Sequence, residues 1–310
     1  MKLLSSATEL QPGSRKVCLA IGMFDGVHLG HQQVIRQAIA DARQQEGLSV
    51  VITFDRHPNA VVAPGRVPPL IYTLNQKLRV IEALGVSATW LIPFDEAFSR
   101  KPAENFIGEL VRDFGQIHSI CVGSSFTFGF KRGGNVPLLQ KLGAQLGFVT
   151  HGLAALSLDG QVVSSTRIRD AIRSGHLDAA TQMLGRGYSL AGKVVAGDQL
   201  GRKLGFPTAN LDTAGLVSPP TGVYAVHAQV LGRSYRGAAN IGFRPTLSNP
   251  TPQFRVEVHL LDFNDDLYGQ EMEITFVDKI RDEQKFPSLE ALQIQIQNDI
   301  ATARRRFTSP

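Results

Sequence analysis

Val17-Cys18-Leu19-Ala20-Ile21, then Gly22-Met23-Phe24-Asp25-Gly26-Val27-His28-Leu29-Gly30-His31, then the run from Gln32 to Gln45, is the stretch that decides the fold of the first half. Five consecutive apolar residues stopped by glycine read as a buried strand. From Gln32 to Gln45, the residues Val34, Ile35, Ala38, Ile39 and Ala42 recur at the i, i+4, i+8 spacing of one helix face. Strand, glycine-bearing turn and helix in that order start a parallel β–α–β unit. Ligands in such sheets sit beyond the carboxyl ends of the strands, so a site is expected at the turn Gly22–His31.

The same grammar continues outward. Strand-like runs at Ser49–Phe54, Ala88–Ile92, Ser119–Val122 and Phe148–His151 alternate with helical stretches at Leu74–Leu84 and Ala103–Phe114. After Gly175 it changes. A short helical stretch, Leu177–Leu184, leads to Gly185-Arg186-Gly187, a natural linker. Strands then follow at Leu190–Val195, Val223–Leu231, Tyr235–Ile241, Phe254–Phe263 and Glu271–Val277, with glycine or proline at the junctions. Val256, Val258 and Leu260 alternate with Glu257, His259 and Leu261 at a period of two. This reads as a small antiparallel barrel closed by a last helix, Leu289–Arg305. The expected fold class is therefore α/β plus β: a parallel sheet with flanking helices over residues 1–184, then a barrel over 185–310.

A chain of 310 residues is long for one core, in agreement with two domains. With 43% hydrophobic and 19% charged residues it is an ordinary globular protein. Neither a signal peptide nor an apolar run of membrane-spanning length is visible. The two cysteines, Cys18 and Cys121, lie in apolar strand-like runs and read as buried, reduced core thiols, which suits a cytoplasmic location. The net charge of +5 is uneven: residues 1–186 hold 19 Lys and Arg against 14 Asp and Glu, and the rest is balanced. The one dense basic run, Arg304-Arg305-Arg306, ends a helix, where cations suit the dipole. That pattern fits a pocket for phosphorylated small molecules at least as well as a nucleic-acid surface.

Two residue groups carry chemistry. In the turn, His28 and His31 can donate hydrogen bonds to phosphate oxygens beside the positive end of a helix, and Gly30 lets a flat nucleobase approach the backbone. Zinc is not expected there, because no cysteine or carboxylate cluster completes a ligand set. The dinucleotide and P-loop glycine signatures are both absent. Ser164-Ser165-Thr166-Arg167-Ile168-Arg169 opens a helical stretch, Thr166–Arg173, and offers hydroxyls and arginines for a phosphate clamp, or simply a helix cap. In the second half, Gly201-Arg202-Lys203-Leu204-Gly205-Phe206-Pro207-Thr208-Ala209-Asn210 is a glycine-bearing loop whose backbone can approach phosphates. Thr208 and Asn210, two apart on an extended segment, present oxygens that suit Mg²⁺. Glu257 is either a general base or an ordinary strand-face carboxylate. No dense metal-ligand cluster is visible along the chain.

Gly22–His31, Thr53-Phe54-Asp55 with His57-Pro58, and Ser164–Arg169 together resemble the adenylyltransferase domain of bacterial bifunctional riboflavin kinase/FMN adenylyltransferases, in the Rossmann-like nucleotidyltransferase superfamily with a His-x-Gly-His motif. The resemblance implies ATP at Gly22, Phe24, Asp25, His28, Gly30, His31, Ser164, Ser165, Thr166 and Arg167. It implies flavin near His57, Pro58, Asn59, Phe126 and Phe128. Two departures are visible: Arg56 stands where proline is common, and Ser125 where an acid or amide is usual.

The second half resembles riboflavin kinase. The resemblance rests on Gly201–Leu211, Gly222-Val223-Tyr224-Ala225, Asn240-Ile241-Gly242 with Pro245-Thr246, Glu257–Asp262, and Arg281-Asp282-Glu283 with Lys285-Phe286. It implies a six-stranded barrel, ATP at Gly201, Lys203 and Gly205, Mg²⁺ on Thr208 and Asn210, Glu257 as base, and riboflavin near Arg281 and Phe286. The implied ligands are riboflavin, FMN, FAD and ATP, with no nucleic acid or membrane. Two rivals stand beside this reading. One is a nucleotidyltransferase charging another phosphate, such as phosphopantetheine. The other is a flavin-sensing or RNA-binding protein with degenerate sites, although His28, His31, Thr208, Asn210 and Glu257 are all present.

Overall fold

Six strands, β1 (Lys2–Leu4), β2 (Val17–Ile21), β3 (Leu48–Phe54), β4 (Ala88–Ile92), β5 (Ile117–Gly123) and β6 (Val149–Leu153), pair in parallel in the order β1-β4-β3-β2-β5-β6. All five residues of β2 are buried, as a central parallel strand covered on both faces requires. Its alternation serves two cores. Cys18 and Ala20 meet Val34, Ile35, Ala38 and Ile39 of helix α1 (Leu29–Gln44) and Ile81 of α2 (Leu74–Ala83). Val17, Leu19 and Ile21 face the other way, onto Phe106, Ile107 and Leu110 of α3 (Ala103–Phe114) and Leu139 of α4 (Val136–Leu146). Each such side chain fully removed from water contributes about 1.5–3 kcal/mol. The chain leaves β2 toward β3 and β4, then returns to place β5 on the other side of β2. The carboxyl end of β2 is thus the point where strand order reverses, the place such sheets use for ligands.

The computed structural model describes residues 1–246 and 249–307, side chains of 244–253 excepted. It divides into two units, Met1–Arg167 with Met183–Gly185, and Ile168–Gln182 with Arg186–Pro310. Helices α5 (Ser165–Arg173) and α6 (Leu177–Leu184) span that division.

The second unit holds a closed antiparallel barrel of β7 (Ser189–Val195), β8 (Ala209–Asp212), β9 (Gly222–Val230), β10 (Arg233–Thr246), β11 (Asn249–Leu260) and β12 (Glu271–Arg281), in the order β7-β8-β11-β10-β9-β12. Helix α7 (Leu289–Arg306) seals its wall through Ala303, which packs on Ala225 and Ala238. Alanines at all three positions let helix and strands approach closely. Among the described residues no helix is long and apolar enough to cross a membrane.

Among these elements, the edge strand β1 and the helix α4 go beyond the sequence reading, and the extended segment of Thr208 and Asn210 leads into barrel strand β8. Helix α1 also begins at Leu29 and not at Gln32.

Candidate active sites

The turn after β2 is shaped by backbone that few side chains adopt. Phe24 and Val27 have φ of +52° and +39°, and Gly26 has +76°. A β-branched residue at positive φ is held there only by its surroundings. Phe24 and Val27 are both fully packed in the core. Gly22 makes room for Phe24, since a Cβ there would lie 2.8 Å from the ring. Asp25 is buried, and its carboxylate accepts the backbone N–H groups of Ile71 and Tyr72 at 3.0–3.4 Å. Its side chain therefore clamps the turn to the loop before α2.

His28 is the N-cap of α1: its Nδ1 accepts the His31 N–H at 3.3 Å. The two imidazoles stack with centroids 3.5 Å apart, and His31 also meets the Phe24 ring edge-on. A Cβ on Gly30 would sit 3.3 Å from the His28 ring. Gly30 thus gives space first to the histidine that precedes it. The Ser164–Arg167 segment, some 140 residues away in the chain, arrives at the same turn: Ser165 Oγ donates to the Asp25 carbonyl at 3.1 Å. Ser164 Oγ accepts the Arg167 N–H, and Arg167 donates from Nη1 to the carbonyls of Leu158 and Gln161. The guanidinium is thereby braced by the hairpin of residues 157–162 through Nη1, while Nε and Nη2 take no part in those two bonds. Thr166 is exposed at the helix start.

Of the residues expected to hold flavin in this unit, Phe126 and Phe128 belong to a chain of aromatic rings that reaches Phe54 at the end of β3. Phe126 stacks on Phe128 at 5.3 Å, and Phe128, Phe106, Phe98 and Phe54 follow one another at centroid distances of 5.6–6.4 Å. Gly129 allows this approach, because any Cβ there would meet the Ala103 backbone at 2.6 Å. His57 Nδ1 accepts the Asn59 N–H, and Asn59 donates to the Arg66 carbonyl, so both shape the loop after β3. Pro58 is the N-cap of a single helical turn there. The departure Arg56 pairs with its neighbour Asp55 at 2.8 Å. Burial pushes Asp55 up, but hydrogen bonds from Arg56 and from the Phe94 N–H outweigh it and hold its carboxyl below the ordinary value. Ser125 is exposed.

One residue at this site escaped the sequence reading. Lys77, on α2, is buried, and its Nζ donates to the Phe54 carbonyl at 2.7 Å, Thr53 Oγ1 at 3.2 Å and the Met23 carbonyl at 3.4 Å. It ties the end of β3 to the turn after β2. Burial pushes its pKa down from 10.5 to about 8, against the pull of Asp25 and Asp55. Between those values the unfolded chain binds the proton and the folded chain does not, so stability rises with pH. A shift of that size corresponds to roughly 3 kcal/mol. Lys77→Met is expected to abolish this slope: urea unfolding of wild type relative to the variant should gain stability from about pH 8 toward pH 10. Trp90, the sole tryptophan, lies in β4 and reports this unit by fluorescence. A constant difference across that range would contradict the assignment.

In the barrel, β8, β11 and β10 are neighbours, and Glu257 is the register partner of both Asn210 and Asn240. Glu257 is 8% exposed and lines a cavity of about 200 Å³. Gly201, Phe206 and Thr208 line it on one side, with Arg281, Phe286 and the α7 residues Ile296 and Asp299 on the other. A second cavity, of about 80 Å³, lies between Arg202, Pro207–Ala209 and the loop Phe263–Tyr268. Thr208 is in the wall of both. The Gly201 backbone is tight: a Cβ there would meet the Phe206 carbonyl at 2.4 Å. Lys203 and Gly205 belong to the same loop but line neither cavity.

Arg281 grips Asp299 of α7 through two nitrogens at 2.8 and 2.9 Å and lies over the Phe286 ring. That bidentate pair fixes the helix over the larger cavity. His259 Nδ1 lies 2.9 Å from the Pro207 carbonyl and ties the loop to β11. The wall Phe263–Tyr268 was not singled out from sequence, although its acidic, turn-forming run was in view. Pro245 and Thr246, part of the barrel signature, have side chains outside the described residues.

The donor set fits a hard cation. Asn210 Oδ1 is buried with no hydrogen-bond partner among the described residues, and it lies two positions from the Thr208 hydroxyl. A buried acceptor left unmet costs about 1–3 kcal/mol unless a ligand meets it. Gly197 makes this placement possible, since a Cβ there would meet the Asn210 amide at 2.2 Å.

Comparison with known proteins gives two family matches in succession along the chain. The FAD synthetase family matches residues 10–167 and the riboflavin kinase family residues 184–307. The bifunctional riboflavin kinase/FMN adenylyltransferase of Escherichia coli K12 is 38% identical over 99% of this chain and 98% of its own. That of Haemophilus influenzae is 38% identical over 94% of each chain, and that of Bacillus subtilis 36% over 95% and 93%. A solved structure described as a macrolide-efflux protein from Streptococcus pneumoniae matches with a TM-score of 0.82 at 28% identity, covering 98% of this chain and 99% of that one.

Proposed function

The chain belongs to the bifunctional riboflavin kinase/FMN adenylyltransferase family, and from that premise we propose which residues carry each of its two reactions. The protein phosphorylates riboflavin with ATP to give FMN, then adenylylates FMN with a second ATP to give FAD and pyrophosphate. We assign the kinase to residues 185–310 and the adenylyltransferase to residues 1–184. With both cysteines free and buried, we place the protein in the cytoplasm.

The observation that carries the kinase assignment is Thr208 in the wall of two cavities, with Glu257 in the larger. The larger, with its apolar and aromatic walls, suits the flavin ring. The smaller, beside Arg202, suits ATP. Glu257 takes the proton of the ribityl primary hydroxyl as that oxygen bonds to the γ-phosphorus and the bond to the β-phosphate oxygen breaks, releasing ADP. Asn210 and Asn240 flank the carboxylate and hold its place on the strand. Bound at Thr208 and Asn210, Mg²⁺ supplies charge neutralisation for the phosphates.

In the first unit, the FMN phosphate is already a nucleophile, so the protein orients it and stabilises charge building on the α-phosphate. His28 Nε2, His31 and Arg167 are the donors we assign to that task, at the positive end of α1. The Phe126–Phe128 pair with the 57–59 loop is assigned to the flavin.

A flavin time course tests the whole reading. Pure protein with riboflavin, ATP and Mg²⁺ should show FMN first and FAD after it. A chain that makes neither, or that consumes only some other phosphate, is not explained by these sites. With excess chelator both reactions should stop, and added Mg²⁺ should restore them. Full rates in chelator would exclude the cation from both steps.

A further inference from the structure

The sequence scatters Asp41, Cys121 and His151 over more than a hundred residues, and no metal cluster is legible there. The fold of the first unit assembles one. Cys121 of β5 and His151 of β6 are direct cross-strand partners, and Cys121 belongs to the face of the sheet that α1 covers. Asp41 comes down from α1 onto the same spot. His151 Nε2 lies 3.2 Å and Cys121 Sγ 3.8 Å from Asp41 Oδ2, and all three donor atoms fall within 4.8 Å of one another.

We propose that Asp41, Cys121 and His151 form a zinc-binding site separate from both reaction centres. Tetrahedral zinc, with bonds of about 2.0–2.3 Å to nitrogen, oxygen and sulfur, sets its ligands roughly 3.3–3.7 Å apart, close to the 3.2 and 3.8 Å that separate Asp41 Oδ2 from the other two donors. One thiol, one imidazole and one carboxylate favour zinc over the hard cations Mg²⁺ and Ca²⁺. The carboxylate is also aimed. Gln37 Nε2 donates to its Oδ1 at 2.7 Å and Ser119 Oγ to its Oδ2 at 2.5 Å, the supporting bonds that metal-ligating carboxylates generally have. Asp41 and Cys121 are buried, while the His151 side chain is 33% exposed and gives the fourth position to water.

Asp41 lies twelve residues along α1 from Leu29, about 18 Å from the end that carries the histidines. On binding, the cation displaces the proton of Cys121 Sγ, while the neutral imidazole of His151 offers Nε2 with its single ring proton on Nδ1. Because the thiol proton must leave for the cation to bind, affinity should rise with pH.

Cobalt is the probe, because a thiolate ligand gives it a near-ultraviolet charge-transfer band. The full chain, stripped with chelator and kept reduced, should take up one Co²⁺ with that band, and one equivalent of Zn²⁺ should erase it. Cys121→Ser should remove the band. His151→Gln, at a part-exposed position, should weaken cobalt binding at least as much as loss of an orienting partner does, about 10–100-fold, with the near-ultraviolet circular dichroism of the metal-free variant checking that it is folded. A wild type without a saturable thiolate band overturns the proposal. So does a band that survives Cys121→Ser, or an affinity unchanged in His151→Gln, and the cluster is then a hydrogen-bonded network only.

Discussion

Glu257→Gln is expected to lower riboflavin phosphorylation by about 10²–10⁴, the usual contribution of a general base. Glutamine has the size and most of the hydrogen bonding of glutamate, so the register between Asn210, Glu257 and Asn240 is kept. Riboflavin affinity should change little, because no shape is lost from the cavity that the side chain lines. FMN supplied from outside should still become FAD at the wild-type rate, since its phosphate needs no deprotonation by this residue. The measurement is single-turnover phosphorylation with flavin separation, which removes product release from the rate. A variant that phosphorylates riboflavin as fast as wild type would make Glu257 an ordinary strand-face carboxylate.

Much of the first unit was legible because its central strands are short, predominantly apolar runs stopped by glycine, proline or a charged residue. Val17–Ile21 and Ala88–Ile92 have the same bounds in the structure as in the sequence reading. Helix α1 starts earlier than its apolar stripe suggests, because His28 caps it through the His31 N–H, outside the usual Ser, Thr, Asp and Asn set. Helix α4 was missed although its signals are ordinary: an Asn135 cap, proline in the first turn and Gly147 at φ +84° after the end. Strand β1 has three residues, too few for any periodicity. Strands β10 and β11 run past the apolar core of each pattern, because the hydrogen-bond ladder continues where alternation no longer marks it.

The candidate residues could be picked from the sequence where identity alone suggests the chemistry, as at His28, His31, Thr208, Asn210 and Glu257. They could not be picked where position does. Lys77 sits in a helical pattern, where a lone lysine reads as a solvated charge, and only the convergence of two loop carbonyls makes it a buried clamp. Asp25 belongs to the motif, yet its carboxylate holds backbone of the 71–72 loop. The Asp41, Cys121 and His151 cluster depends on strand order β2-β5-β6, which no local pattern shows.

His31→Ala should reduce FAD formation by about 10²–10³ while riboflavin still becomes FMN at a near-normal rate. The loss is that of a donor aimed at charge on the α-phosphate, which matters in the transition state more than in binding. The fold should survive. The N-cap bond uses the backbone N–H of residue 31, which alanine keeps, and alanine favours a helix. What disappears is the ring stacked on His28 and edge-on to Phe24. His28 loses a neighbour that restricts its ring, so some of the effect reaches the phosphate through His28 as well. Feeding FMN and ATP isolates the second reaction, and feeding riboflavin shows FMN building up behind the block. If the folded variant lost both reactions, the two centres would not be independent. If it lost neither, the paired histidines would be a helix cap and nothing more, and the charge on the α-phosphate would have to be met by Arg167 with Ser164 and Ser165.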